Sequence, residues 1–304
     1  MPTLRDHLAF QRYKWIKRSF RFWERHGAHV VPVHFYEPIP DTRQLDPALW
    51  EQVREMPGVD LLVEAQLQRL DRFADCYRHE YERFPREATG CPHEFHDNNG
   101  QFASTDAEIL HCMIRHYRPR RVVEIGSGFS SLVTAAALCL NACDGAPAGE
   151  LICVEPYPNQ TLRAGFPGLT RVVAAPVQAV PLAFFEELQA DDVLFIDSSH
   201  VVAIGSDTTR EVLDILPRLA PGVLVHFHDI FFPVEYPRGW VLDEHRFWNE
   251  QYLVEAFLSF NHRFEILYAG SYLHVAHNQK LVEFSPRYGG GGRWSASLWL
   301  RRLA

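Results

Sequence analysis

The stretch Arg121-Val-Val-Glu124-Ile-Gly126-Ser127-Gly128-Phe-Ser-Ser131 constrains this chain most. A short apolar run ends in an acid, two glycines follow at once, and a helix start comes next. Glycine lets the backbone turn tightly and lets a ligand come close to it. The helix beyond offers free N–H groups and the positive end of its dipole. Glu124 decides the ligand class. A carboxylate there repels a pyrophosphate and suits a ligand bearing an ammonium group or free hydroxyls. S-adenosylmethionine has an amino acid, a ribose and a cationic sulfonium, so it fits better than a dinucleotide. Ser131 stands where the GxGxxG pattern would need its third glycine, which also points away from a nicotinamide site.

From about residue 105, helices and short buried strands alternate. The strands are expected at 121–125, 151–154, 171–175, 193–197 and 222–228. The helices are expected near 105–117, 129–141, 159–164, 181–189 and 207–219. This order predicts right-handed crossovers and a parallel sheet covered on both faces. Near the end, Arg263–Tyr268 and Ser297–Leu300 read as strands with no helix between them, only a loop holding Gly289 to Gly292. Such a pair should be antiparallel. The fold class is therefore α/β: a Rossmann-like, seven-stranded sheet of five parallel strands plus a terminal antiparallel pair, with a helical N-terminal extension. Residues 1–104 are expected to form that extension and a Pro-rich connector, and residues 105–304 the donor-binding domain. Within the extension, helices are expected at 4–26 and 59–84. Three prolines between Gly27 and Asp41 exclude a helix there.

A hydrophobic content of 47% with 22% charged residues describes a globular chain with a sizeable core. No run approaches the roughly 20 apolar residues of a membrane span, and Met1 to Phe10 has no secretory apolar stretch. The six cysteines lack CxxC spacing, so free thiols in a reducing cytoplasm are expected. Cys139 and Cys143 have no second pair to complete a metal set. The net charge of −8 hides an asymmetry: residues 1–25 carry seven basic side chains against Asp6 and Glu24, so the remainder sums to −13. Overall acidity argues against a nucleic-acid partner. The basic, aromatic first helix reads as laid on its own domain or on a second subunit, in preference to a membrane surface; the second placement would make a homo-oligomer.

In an open parallel sheet, ligands bind beyond the carboxyl ends of the strands. The first strand end supplies Glu124, Gly126, Ser127 and Gly128. The second ends in Glu155-Pro156, where a carboxylate can take both ribose hydroxyls. Beyond the third, Val177 should pass the adenine. The fourth delivers Asp197, with His200 three residues on; the histidine suits proton abstraction from a hydroxyl or amine. In the fifth, Val223-Leu-Val-His226-Phe-His228-Asp229, alternation puts His226 and His228 on one face. Asp197, His228 and Asp229 should converge. They are the candidate ligands of a divalent ion (Mg, Mn, Fe or Zn), or else hydrogen-bond to one another without one. The following aromatic stretch, from Ile230 through Tyr236 and Trp240 to Trp248, is a candidate acceptor pocket or lid.

With these residues in place, the chain resembles class I S-adenosylmethionine-dependent methyltransferases, particularly bacterial family-24 methyltransferase domain proteins. The resemblance is carried by the connector Pro32–Arg43, VEIGSGFSS, FIDSSHV and VHFHDIFFPVEYP. It implies donor contacts from Glu124, Gly126 and Gly128, and ribose contacts from Glu155. The wider set includes cation-dependent catechol and caffeoyl-CoA O-methyltransferases, whose pattern has an aspartate at the end of the fourth strand, a base three residues later and an acidic–amide pair ending the fifth. Asp197 matches the first ligand and His200 the base position, whereas His228-Asp229 departs from the acidic–amide pair. The resemblance implies methyl transfer to a hydroxyl, in preference to an amine, of a small-molecule acceptor; the strand ends themselves suggest His200 as the base that removes the acceptor proton, with Asp197, His228 and Asp229 orienting the acceptor, directly or through a metal. The alternatives are a nicotinamide-dependent oxidoreductase and a non-catalytic module that keeps the donor site.

Overall fold

Seven strands form one sheet in the computed structural model, which describes residues 4–285, 287–288 and 294–304. They are β1 (Arg121–Ile125), β2 (Glu150–Val154), β3 (Arg171–Val173), β4 (Val193–Ile196), β5 (Leu224–Phe227), β6 (Phe264–Ala269) and β7 (Leu298–Arg302). Their spatial order is β3-β2-β1-β4-β5-β7-β6. Strands β1 to β5 run parallel, and β7 is antiparallel to both of its neighbours, β5 and β6. Strand order reverses between β1 and β4, which puts the ligand crevice of such a sheet at their carboxyl ends.

Helices α1 (Leu4–Arg25), α2 (Val63–Tyr81) and α3 (Ser104–Tyr117) precede the sheet. Between the parallel strands lie α4 (Phe129–Cys143), α5 (Gln160–Ala164), α6 (Leu182–Glu186) and α7 (Asp207–Arg210). After β5 come α8 (Arg238–Leu242) and α9 (Glu250–Leu258), and α10 (Gly270–Ala276) and α11 (Asn278–Phe284) separate β6 from β7. The last two overturn the expectation that only a loop joins these strands. Each has seven residues, so neither is long enough for a 3.6-residue period to stand out. Gly289 to Gly292 lie outside the described residues. The expected helix at 207–219 is also broken up: α7 passes into a π-helical turn, Glu211–Ile215, and a 3-10 turn, Leu216–Arg218. Pro217, which has no N–H to donate, sits in the latter.

Strand alternation divides the core in two. Val122, Leu151, Val193, Phe195 and Trp299 pack on one face with Leu110 and Ile114 of α3 and Leu132 of α4. Val123, Ile125, Leu194, Ile196 and Phe227 pack on the other with Val212, Ile215 and Val254. Both faces are apolar, as parallel sheets require.

The chain divides into two units, Met1–Gln52 with Pro237–Phe247, and Val53–Tyr236 with Trp248–Ala304. The sequence-defined 1–104 extension is thus shared between them. In the first unit, α1 rests one side on the segment after it. Tyr13 meets His34 with ring centroids 5.0 Å apart, Phe20 stacks on His29 at 5.1 Å, and Lys17 pairs with Glu37. Leu8, Trp15 and Phe22, seven residues apart on another face of α1, are exposed. In the second unit, Glu80 of α2 accepts from His111 Nε2 (2.7 Å) and Arg115 Nε (2.8 Å) of α3. Arg115 also donates to Asn141 and Asp144 at the end of α4, both at 2.5 Å. No helix among the described residues is long and apolar enough to cross a membrane.

Candidate active site

A cleft of about 530 Å3 opens where the strand order reverses. Its walls come from Ile125 and Gly126 at the end of β1, Val154 to Tyr157 at the end of β2, Pro176 to Gln178 after β3, and Asp197 to Ser199 after β4, with Asp207. Glu155, Pro156, Val177 and Asp197 from the sequence reading all line it.

Gly126 has φ +76°, and a Cβ there would lie 1.8 Å from the Asp197 carbonyl oxygen. The turn after β1 therefore presses directly on the end of β4, and this contact excludes any side chain. Gly128 differs: a Cβ would meet nothing within 4 Å. It precedes α4 without a side-chain cap, so first-turn N–H groups of this 15-residue helix are free of side-chain partners. Glu155 steadies the turn, accepting from the Ser127 N–H at 3.3 Å and the Tyr157 N–H at 2.7 Å.

Glu124 lies beneath the turn, fully buried and off the cleft wall. One oxygen accepts from Ser130 Oγ, and the other has no hydrogen-bond partner. Burial pushes its carboxyl up to about 8, partly opposed by the hydrogen bond from Ser130. An uncapped helix start, an open flank at Gly128, a carboxylate at the second strand end and an unsatisfied buried acceptor together fit a ligand with an amino acid and a ribose.

Beside the cleft, Asp197, His200 and Asp229 bring three possible ligand atoms within 4.8 Å of one another. His200 Nε2 lies 3.3 Å from Asp197 Oδ1 and 3.8 Å from Asp229 Oδ2. Ligands about 2.1 Å from one cation stand roughly 3.0–3.4 Å apart, so the group needs little closure to hold one. His200 and Asp229 both adopt the left-handed backbone, with φ +59° and +55°. That conformation costs about 1–2 kcal/mol per residue, a strain that clusters at functional sites. Burial alone would depress the His200 imidazole, but hydrogen bonds to Asp197 and Glu250 hold it well above its ordinary value.

His228 lies outside this group of three, with Nε2 3.7 Å from Asp229 Oδ1. Burial lowers its pKa, but Asp229, Asp197 and Asp106 raise it by more. The same two histidines hold Asp197 below the usual carboxylate range although burial acts to raise it. His226 belongs to the core, stacked on Phe195 at 4.0 Å with neither ring nitrogen hydrogen-bonded. The expected aromatic pocket is largely internal: Phe231, Phe232 and Tyr236 are buried. Trp248 reaches the site, its ring 4.3 Å from that of His200, and Phe102 lies 5.0 Å from His228.

The sequence reading missed Glu250, which accepts from His200 Nδ1–H at 2.8 Å. The signal was there in Leu253, Val254, Phe257 and Leu258 at helical spacing, which mark α9 and place Glu250 at its start.

A methyltransferase-domain family model matches residues 123–230, which contain every one of these strand ends from β1 to β5. An uncharacterized protein of Archaeoglobus fulgidus is 37% identical over 173 residues, spanning 54% of this chain and 75% of that protein. Among solved structures, the chain is similar to MycE, a methyltransferase from the mycinamycin biosynthetic pathway in complex with Mg and SAH. That likeness has 15% identity and a TM-score of 0.33; it covers 63% of this chain and about half (47%) of MycE. With the β3-β2-β1-β4-β5-β7-β6 sheet and a cleft at its switch point, this chain carries a methyltransferase domain over residues 123–230.

Proposed function

We propose that the chain moves the methyl group of S-adenosylmethionine to a hydroxyl, in preference to an amine, of a small, partly apolar acceptor, beside a divalent cation held by Asp197, His200 and Asp229. The observation carrying this reading is that Asp197 borders both the donor cleft and the three-ligand group.

The donor supplies an activated methyl on its sulfonium. Pro156 and Val177 would flank its adenine end and Glu155 its ribose hydroxyls, while the start of α4 faces its carboxylate. The unpartnered Glu124 oxygen is the acceptor left for its ammonium. A divalent cation, when bound, supplies Lewis acidity that makes a hydroxyl easier to deprotonate. Asp197 and Asp229 would offer it oxygen and His200 nitrogen, a mixed set that suits Mg, Mn, Fe or Zn. His228 orients Asp229 from the side, and Trp248 and Phe102 add apolar surface for the acceptor. Holding acceptor oxygen and methyl at near-attack geometry is worth up to roughly 7–11 kcal/mol in model systems. Six free thiols support a reducing, cytoplasmic setting.

Thermal-shift measurements test this reading. S-adenosylhomocysteine should raise the melting temperature and NAD(P) should not. Mn2+ should bind the wild type and fail to bind His200→Ala, with the S-adenosylhomocysteine response retained. Stabilisation by NAD(P) alone would overturn the donor assignment, and equal Mn2+ binding by both proteins would overturn the cation site.

A further inference from the structure

The two ring nitrogens of His200 have different surroundings. Nε2 faces Asp197 and Asp229, while Nδ1 faces Glu250 Oε2 at 2.8 Å. Glu250 is 1% exposed and opens α9. Its backbone N–H and that of Asn249 donate to the His200 carbonyl at 3.3 and 3.1 Å, and the Val202 N–H donates to Asn249 Oδ1 at 2.6 Å. Trp248 covers the imidazole ring. Three consecutive residues, Trp248 to Glu250, therefore grip residue 200 by ring, backbone and side chain. The neighbouring serines are tied elsewhere, Ser198 Oγ to Glu211 at 3.0 Å and Ser199 Oγ to Asp207 at 2.5 Å.

We propose that Glu250 is the positioning residue of this site, accepting Nδ1–H of His200 so that Nε2 is turned toward Asp197 and Asp229. This rests on the cation reading above for its purpose, though not for its geometry. A histidine that ligates a metal through one nitrogen characteristically donates its other N–H to a carboxylate or carbonyl, which fixes the ring and raises its basicity. A carboxylate serves better than an amide because the hydrogen bond is charge-assisted. His200 also sits in a left-handed backbone, so a partner that clamps both its carbonyl and its ring offsets a conformation the chain would otherwise leave.

The experiment compares full-length wild type, Glu250→Gln, Glu250→Ala and His200→Ala by two readouts. The first is affinity for Mn2+ alone, followed by electron paramagnetic resonance. The second is the proton resonance of the His200 Nδ1–H in the metal-free protein, assigned by its absence from His200→Ala. Wild type should show a downfield, slowly exchanging Nδ1–H signal. Glu250→Ala should lose it and bind Mn2+ some 10- to 100-fold more weakly. Glu250→Gln should keep a weakened signal with a smaller loss of affinity. If Glu250→Ala does not fold, Glu250→Gln decides, since wild-type values for both readouts would overturn the proposal. An Nδ1–H signal surviving in Glu250→Ala, or unchanged Mn2+ affinity there, would also overturn it. If the wild type binds no Mn2+, the cation reading fails, and the Nδ1–H signal alone judges Glu250.

Discussion

Glu124 closes a loop and, on the function proposed above, also meets the donor. It is wholly buried and tied to Ser130, with one oxygen unsatisfied, and its carboxyl is raised to about 8. The ordinary value is 4.5. An acid raised by folding binds protons more tightly in the native state, so its charge destabilises the fold increasingly between about pH 4.5 and pH 8. Below that window the penalty is absent, and above it the penalty is constant. Each pKa unit corresponds to about 1.4 kcal/mol, so the penalty reaches a few kcal/mol. Glu124→Gln should therefore flatten the stability loss of the donor-free protein between pH 5 and 8, as followed by urea unfolding, while weakening S-adenosylhomocysteine binding about tenfold by calorimetry. A variant with wild-type affinity would remove Glu124 from the donor site. The sequence marked this residue as an acid facing a ligand; its position beneath the turn depends on Ser130 folding back over it.

At the scale of elements, Glu80 joins α2 to α3, and through Arg115 to the end of α4. Burial acts to raise its pKa, but His111 and Arg115 hold it at about 2. A depressed carboxyl contributes stability above its unfolded value near 4.5, lost as pH falls through about 2. Glu80→Ala should cost about 3 kcal/mol at pH 7, because it leaves the nearly buried Arg115 with only Asp144 and Asn141, and should make the loss between pH 4.5 and 2 shallower. Parallel urea titrations of both proteins would check this; an unchanged midpoint would show that Arg115 finds its partners without Glu80. Elements like these were unevenly legible. The apolar strand runs and the glycine turn after β1 announce themselves, since burial on both faces forces continuous Val, Ile and Leu. The short α10 and α11 do not, because seven residues make barely two turns. Asp197, His200 and Asp229 could each be picked from strand ends, though the expected ligand set had His228 in place of His200; Glu250 could be placed at a helix start but not against His200. It sits 50 residues beyond His200 in sequence, and only the course of the chain after β5 brings it back.

For the whole molecule, the sheet-bearing unit holds the cleft, the three-ligand group and its support, while α1 keeps Leu8, Trp15 and Phe22 exposed in the other. If that basic, aromatic helix joins subunits, removing residues 1–26 should lower the oligomer size in light scattering while leaving S-adenosylhomocysteine binding unchanged. An unaltered size would end the subunit-contact role. A different constraint follows from the missing Cβ of Gly126, whose place is taken by the Asp197 carbonyl. The donor turn and the Asp197 end of β4 are seated against one another through main chain alone, with Asp197 N–H also bonded to the Ile125 carbonyl at 2.9 Å. No side chain enters that joint, so trimming or enlarging a neighbouring side chain does not act on it directly. If Phe102 and Trp248 line the acceptor as proposed, divergence toward new acceptors would run through positions such as these, while the joint between β1 and β4 stays as it is.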